Sequence, residues 1–273
     1  MNRIDKKFAE VKKRKEAALI PFVTAGDPEI GTTLKILRSL EAAGADMIEL
    51  GVPFSDPMAD GATIQRASER ALAGGTMLPH VLALVRRFRR ESELPIVLFG
   101  YYNPILHYGL ARFARDARAA GVDGLLCVDL PPEESAELRR ETEKRGLYTI
   151  FLLAPTSDEE RIKLVARLAR GFIYYVSVTG VTGARRALEG ELQGQVARIR
   201  RHTRLPIGVG FGISTPVQAG RIAAFADAAV VGSALIDVIE RAGRDGRKAS
   251  EAGAFLARLK RGMRGAKRPV SSL

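Results

Sequence analysis

Short apolar runs alternate with longer amphipathic stretches along the chain. Runs at 18–24, 47–51, 96–100, 124–129, 148–153, 172–177, 207–210 and 228–231 are bounded by Gly, Pro, Asp or Ser, which is how buried parallel strands read. Between them, segments 32–43, 111–120, 132–145, 158–170, 192–202 and 215–225 space apolar residues as a helix does, as Leu34, Ile36, Leu37 and Leu40 show in the first. Pro132 and Pro216 stand near helix starts, where a missing N–H costs nothing. Ser157 is the expected N-cap ahead of Asp158 and Glu159. In Ala43-Gly44-Ala45-Asp46 and Ala120-Gly121-Val122-Asp123, the glycine predicts a left-handed helix end that leads into the next strand. Eight strand–helix units of about 34 residues each predict an α/β fold, a (β/α)8 TIM barrel with an extra N-terminal helix over 4–16. A doubly wound open sheet is the alternative, but it would usually need fewer strands or a second domain, and no linker divides the chain. The expected organisation is one domain over 1–273. The barrel occupies about 17–262, and 263–273 form a frayed basic tail.

Composition narrows the class. Of 273 residues, 46% are hydrophobic and 27% charged, which excludes a disordered chain. No apolar run is long enough for a transmembrane helix, and the charged N-terminus does not read as a secretory signal. The single cysteine, Cys127, rules out a disulfide framework and a cysteine-rich metal site, and a cytoplasmic setting is expected. His80, His107 and His202 match no ligand spacing, so no metal is expected. The net charge of +12 is concentrated at the ends, with seven Lys/Arg against three Asp/Glu in 1–16 and ten against two in 241–273. The intervening residues balance. Without cations and aromatics interleaved, these ends read first as solvated surface, with contact to a polyanion as the alternative.

A barrel of this kind carries its chemistry at the C-terminal ends of the strands. Glu49 interrupts the second apolar run, and a carboxyl there is paired, hydrogen-bonded or functional. If it points inward near the strand's end, desolvation raises its pKa toward neutrality and lets it give and retake a proton. The alternative is a buried Glu satisfied by a structural partner. Asp60 closes the following Pro- and Gly-rich loop. It reads either as the N-cap of a helix starting near Ala62 or as an ionised acceptor for a substrate N–H. Gly210-Phe211-Gly212-Ile213-Ser214 and Gly232-Ser233-Ala234 follow the last two strands and lead into helices, the grammar of a phosphate site. The sixth loop, from Val178 to Arg185, reads as a lid or as an ordinary surface loop. Tyr101, Tyr102 and Asn103 after the third strand read equally as site lining or packing.

Together these motifs resemble the tryptophan synthase alpha chain family. The matching stretches are Pro21-Phe22-Val23-Thr24-Ala25-Gly26-Asp27-Pro28, the run from Glu49 to Gly61, Asp129-Leu130-Pro131 with Glu133-Glu134, Tyr175 to Gly183, Gly210 to Ile213 and Gly232-Ser233-Ala234. The resemblance implies a lyase of tryptophan biosynthesis that cleaves indole-3-glycerol phosphate to indole and glyceraldehyde 3-phosphate. It implies Glu49 as general acid/base and Asp60 as the carboxylate at the indole N–H. Substrate would be bound by Phe22, Leu126, Tyr174, Thr182, Gly183, Phe211, Gly212, Gly232 and Ser233, with Leu152 also matching a pocket position and Phe99 beside them. No cofactor is implied for this chain. Pyridoxal phosphate is implied only in a partner beta chain, which would receive indole in an alpha2beta2 heterotetramer and face Pro53, Asp56 and Pro57. Ala62 departs from the family's usual proline, and the end of the chain is unusually basic. The competing readings are another phosphate-binding TIM-barrel enzyme and a basic binding protein on a barrel scaffold. Against an indole-glycerol phosphate synthase, none of the eight strands carries the lysine that reaction needs.

Overall fold

The computed structural model describes residues 1–177, 185–210, 212–243 and 246–266, with the backbone alone at 185–189. Eight strands, β1 (Ala18–Thr24), β2 (Ile48–Gly51), β3 (Ile96–Gly100), β4 (Gly124–Cys127), β5 (Tyr148–Leu153), β6 (Ile173–Val176), β7 (Ile207–Gly210) and β8 (Ala228–Val231), close in sequence order into one parallel barrel. The expected TIM barrel is therefore the observed fold. Five strands keep their expected bounds, and β2, β4 and β6 are trimmed by one or two residues.

The helices in chain order are α1 (Arg3–Lys13), α2 (Ile30–Ala42), α3 (Ala62–Ala73), α4 (Leu78–Phe88), α5 (Tyr102–Tyr108) and α6 (Leu110–Ala120). After these come α7 (Ala136–Glu143), α8 (Glu159–Leu168), α9 (Arg185–Arg200), α10 (Pro216–Ala223), α11 (Ser233–Arg241) and α12 (Lys248–Met263). None in the described residues is long and apolar enough to cross a membrane.

Side-chain alternation splits the hydrophobic residues into two layers. Ala18, Ile20, Met47, Val97, Leu126, Ile150, Phe172, Tyr174, Ala228 and Val230 fill the barrel, while Leu19, Val23, Ile48, Leu50, Ile96 and Leu98 pack outward with the helices. The extra helix α1 closes the barrel floor. Its Ile4, Phe8 and Val11 join the interior cluster, and Phe8 meets Phe172 with ring centroids 5.8 Å apart. Asn2 caps α1 by accepting from the Ile4 N–H at 3.0 Å, and its own amide donates to the carbonyls of Asp123 and Gly146.

The aspartates at strand entrances have a shared task. The Asp46, Asp123 and Asp227 carboxylates, ahead of β2, β4 and β8, accept from the N–H of Leu19, Ile96 and Ile207 on the preceding strand, each at 2.9 Å. Each also pairs with cations: Asp46 with Arg14 and Lys260, Asp123 with Arg3 and Arg89, Asp227 with Arg200. Ahead of Asp46 and Asp123 a glycine two residues upstream turns the chain into that position, Gly44 at φ +96° and Gly121 at φ +93°.

Several expectations need correction. The N-cap of α8 is Asp158, which accepts from the Arg161 N–H at 2.8 Å; the Ser157 hydroxyl turns back to accept from the Ala154 N–H. The single helix expected over 132–145 divides into a 3-10 turn, Pro132–Glu134, and α7, because the Ser135 hydroxyl donates to the Pro132 carbonyl. Helix α9 begins at Arg185, earlier than expected, and α1 ends at Lys13. The charged ends are not mere appendages. Helix α12 buries Ala252, Phe255, Leu256, Leu259 and Met263 against the core, and Lys260 reaches Asp46. Residues 267–273 of the expected tail lie outside the described residues.

Candidate active site

Glu49 sits in β2 level with Phe22 of β1 and Val97 of β3. Parallel partners in register share a face, so its side chain enters the barrel with theirs, near the C-terminal mouth and away from α1. It is 1% exposed, and its Oε1 has no hydrogen-bond partner among the described residues. Removal from water disfavours the carboxylate, and burial pushes the pKa up to about 8. The alternative of a structurally satisfied Glu does not hold for that oxygen. Tyr174, on β6, also faces the interior. Its hydroxyl is raised well above the usual tyrosine value by burial and by the nearby Glu49 charge.

Asp60 stands at the end of the loop after β2. It does not cap α3: Gly61 holds the cap position and no side chain closes that end. The Asp60 carboxyl is pushed up to about 6, raised by burial and partly lowered again by a hydrogen bond from the Tyr101 hydroxyl. Tyr101 also accepts from the Ala59 N–H at 3.0 Å and stacks near Phe54, centroids 5.0 Å apart. Its own pKa rises to about 12, through burial first and then the Asp60 charge. The Tyr101 hydroxyl is thus held between Ala59 and Asp60, a placement the sequence left undecided. Thr24 was not anticipated. Its buried hydroxyl, one turn of the pleat beyond Phe22, lacks a partner among the described residues. The available signal was the same as for Glu49, a polar group at the end of an apolar strand.

Phe22, Phe99, Leu126 and Leu152 pack in adjoining interior clusters and form an apolar wall. Phe22 and Phe99 meet edge to face at 5.1 Å. Gly51 makes room for this, since a Cβ there would stand 2.7 Å from the tip of the Phe22 ring. Gly210 does the same for the Tyr174 hydroxyl, which occupies the space of a Cβ.

The two glycine-rich helix starts differ. At α10, Thr215 and Gln218 form a reciprocal capping box, and the Gln218 carbonyl also accepts from the Ser214 and Thr215 N–H groups. That helix end is self-satisfied. At α11, Gly232 holds the cap position with no side-chain cap, and the Gly232 carbonyl takes the N–H of Leu235. The Ser233 and Ala234 amides, at the helix start, have no intrahelical acceptor. An ideal Cβ at Gly232 lies 3.8 Å from the Phe22 Cβ, so this open helix start adjoins the apolar wall. Gly212 is exposed in a left-handed conformation, φ +46°. Thr182, Gly183 and Phe211, and the expected lid from 178 to 184, lie outside the described residues.

On the loop after β2, Asp56 is exposed, Pro57 half-buried and Pro53 buried, while Met58 is 87% exposed. The histidines have local partners or none of metal type: His80 accepts from the Met77 N–H and His202 pairs with Glu159. Among the described residues no group of three His, Cys, Asp or Glu is placed to hold a metal.

Known proteins match this arrangement closely. The model of the family described as tryptophan synthase alpha chain matches residues 8–264. The tryptophan synthase alpha chain of Geotalea uraniireducens (strain Rf4) is 56% identical over 264 residues, covering 97% of this chain and 98% of that protein. That of Geobacter sulfurreducens is 60% identical over 241 residues, covering 88% and 91%. Among solved structures, tryptophan synthase subunit alpha from Legionella pneumophila str. Paris superposes with a TM-score of 0.90 at 43% identity, covering 96% of this chain and 98% of that one. A chain of the tryptophan synthase a2b2 complex from Pyrococcus furiosus superposes with a TM-score of 0.84 at 40% identity, covering 90% and 98%.

Proposed function

The chain belongs to the tryptophan synthase alpha chain family, a family of lyases, and on that premise we propose that Glu49 and Asp60 carry out its cleavage of indole-3-glycerol phosphate. The observation that carries this reading is the desolvated carboxyl of Glu49 at the barrel mouth, whose Oε1 has no partner among the described residues. At neutral pH it is mostly protonated, whereas Asp60, at about 6, is mostly ionised. Two carboxyls pushed to different pKa values divide the acid and the electrostatic roles.

The neutral Glu49 donates its proton to indole C3. The ring loses aromaticity, and positive charge develops on the indole nitrogen. The Asp60 carboxylate accepts the nitrogen's N–H and stabilises that charge, strongly because the surroundings are poorly solvated. Glu49, now a carboxylate, removes the proton of the C3′ hydroxyl. The oxygen's electron pair forms the aldehyde carbonyl as the C3–C3′ bond breaks, and the bonding pair returns to the ring. Indole and glyceraldehyde 3-phosphate result, and Glu49 is again protonated. The Phe22, Phe99, Leu126 and Leu152 wall receives the indole. The open amides of Ser233 and Ala234 receive the phosphate, joined by Gly232 and Gly212; Thr182, Gly183 and Phe211 complete the assignment from the sequence. Tyr174 bounds the Glu49 side, and Tyr101 fixes Asp60.

We assign the chain a beta-chain partner, docked on the loop that carries Pro53, Asp56, Pro57 and the exposed Met58, in an alpha2beta2 assembly. That partner carries the pyridoxal phosphate, and none of the steps above uses it. The single cysteine, Cys127, leaves no disulfide to form within the chain, which accords with a reducing cytoplasm. The direct test mixes purified chain with indole-3-glycerol phosphate, alone and with a beta chain. Indole release by the chain alone, increased at least tenfold by the beta chain, is expected. Absence of indole in both samples refutes the assignment.

Tyr101→Phe removes the hydrogen bond that lowers the Asp60 pKa and orphans the Ala59 N–H. The expected result is a drop in kcat of about three- to tenfold, within the cost of one lost hydrogen bond, together with an acid limb of the pH–rate profile moved to higher pH. An unshifted acid limb would show that Tyr101 only packs.

A further inference from the structure

The floor of the barrel, opposite the mouth that holds Glu49, carries a cleft of about 400 Å³ lined by Arg3, Arg86, Arg89, Arg90, Arg118 and the backbone turn 119–121. The arginines come from α1, from the end of α4 and the turn after it, and from the last turn of α6. We propose that this cleft is a binding site for a compact diphosphate anion.

The site has a fixed base and a free rim. Arg89 is the base: its guanidinium donates to the carbonyls of Gly121, Ser92 and Leu94 and pairs with Asp123 at 2.9 Å. Arg3 is held at the same carboxylate and at Glu93. Gly121 is needed for this base, since a Cβ there would lie 2.5 Å from the Arg89 Cγ. Arg86, Arg90 and Arg118 form the rim, and among the described residues none of them has a carboxylate partner. Five guanidinium groups thus meet the paired carboxylates of Asp123 and Glu93, with the Glu41 charge also acting on Arg89, which leaves positive charge in excess around one concavity.

The competing explanation is that these arginines compensate the negative ends of α4 and α6. Arg86 and Arg118 do stand in the last turns of those helices, but the carbonyls of Gly121 beyond α6 and of Ser92 and Leu94 beyond α4 are taken by Arg89. Arg90 lies past the end of α4 altogether. The rim is free for a ligand. Planar guanidinium forks match phosphoryl oxygens, and the volume falls at the lower end of the ~300–1,000 Å³ usual for small-ligand sites. The lining contains no aromatic ring on which a base could stack, so the recognised chemistry is the diphosphate itself.

The test titrates the isotope-labelled full chain with inorganic pyrophosphate and follows backbone amide shifts. Saturable shifts are expected at Arg90 and from Arg118 to Gly121. The triple variant Arg86→Gln, Arg90→Gln, Arg118→Gln should weaken this binding at least tenfold. A control with equal charge loss outside the cleft, Arg87→Gln, Arg201→Gln, Arg204→Gln, should retain it; matching thermal melts establish that both variants are folded. ADP should bind as pyrophosphate does, and orthophosphate and AMP at least tenfold more weakly. Shifts confined to Gly232 and Ser233, or equal weakening in both triple variants, would overturn the proposal.

Discussion

Glu49→Gln is expected to reduce indole release by roughly 10³-fold, within the ~10²–10⁴ that a positioned proton-transfer group supplies, while the barrel stays folded. Glutamine matches the side chain in shape but neither donates a proton to C3 nor removes one from the hydroxyl. The same substitution should change stability in a pH-dependent way. The folded-state pKa is raised to about 8 from 4.5. Between these values the folded protein holds a proton that the unfolded chain has released. Stability therefore falls as pH rises, by about 1.4 kcal/mol per pH unit for this group, and the slope ends near pH 8. Glutamine has no such slope. Denaturant unfolding at pH 5 and pH 8.5 should show the variant gaining on the parent at the higher pH. Turnover near the parental level would mean that Glu49 is not the acid, and parallel stability profiles that its pKa is not raised in the folded state.

Glu49 was legible because physics penalises a carboxyl in an apolar strand, so its presence demanded an explanation. The barrel was legible for a related reason, since strands buried on both faces are written as short uninterrupted apolar runs. Tyr101 was not, because a tyrosine after a strand satisfies packing and hydrogen bonding equally well; only its hydroxyl at Ala59 and Asp60 decides the matter. The two glycine-rich loops looked equivalent in the sequence. The Thr215–Gln218 capping box at one of them separates them, and it was present in the letters as a threonine three residues ahead of a glutamine. Helix α12 was hidden by its charge. Its core-facing Phe255, Leu256 and Leu259 are interleaved with arginine and lysine, and a stretch of that kind reads as solvated surface until its packing partner is known.

For Asp60→Asn the expected outcome is a fall in kcat of about 10²–10³, the cost of removing one preorganised electrostatic stabiliser, with KM little changed. Asparagine still offers an oxygen to the indole N–H, so ground-state binding survives. It carries no charge to stabilise the cation that forms on C3 protonation, so the loss appears in the transition state. The pH dependence gives an independent check. In the parent, kcat/KM requires Glu49 protonated and Asp60 ionised together, a state that prevails between about 6 and about 8. The profile should be bell-shaped, falling on the acid side as Asp60 protonates and on the alkaline side as Glu49 ionises. In Asp60→Asn the acid limb should vanish and the alkaline limb near 8 should remain. Retention of the acid limb would assign it to another group, and retention of full kcat would leave Asp60 with no part in the reaction, because Gly61 and not Asp60 holds the cap position of α3.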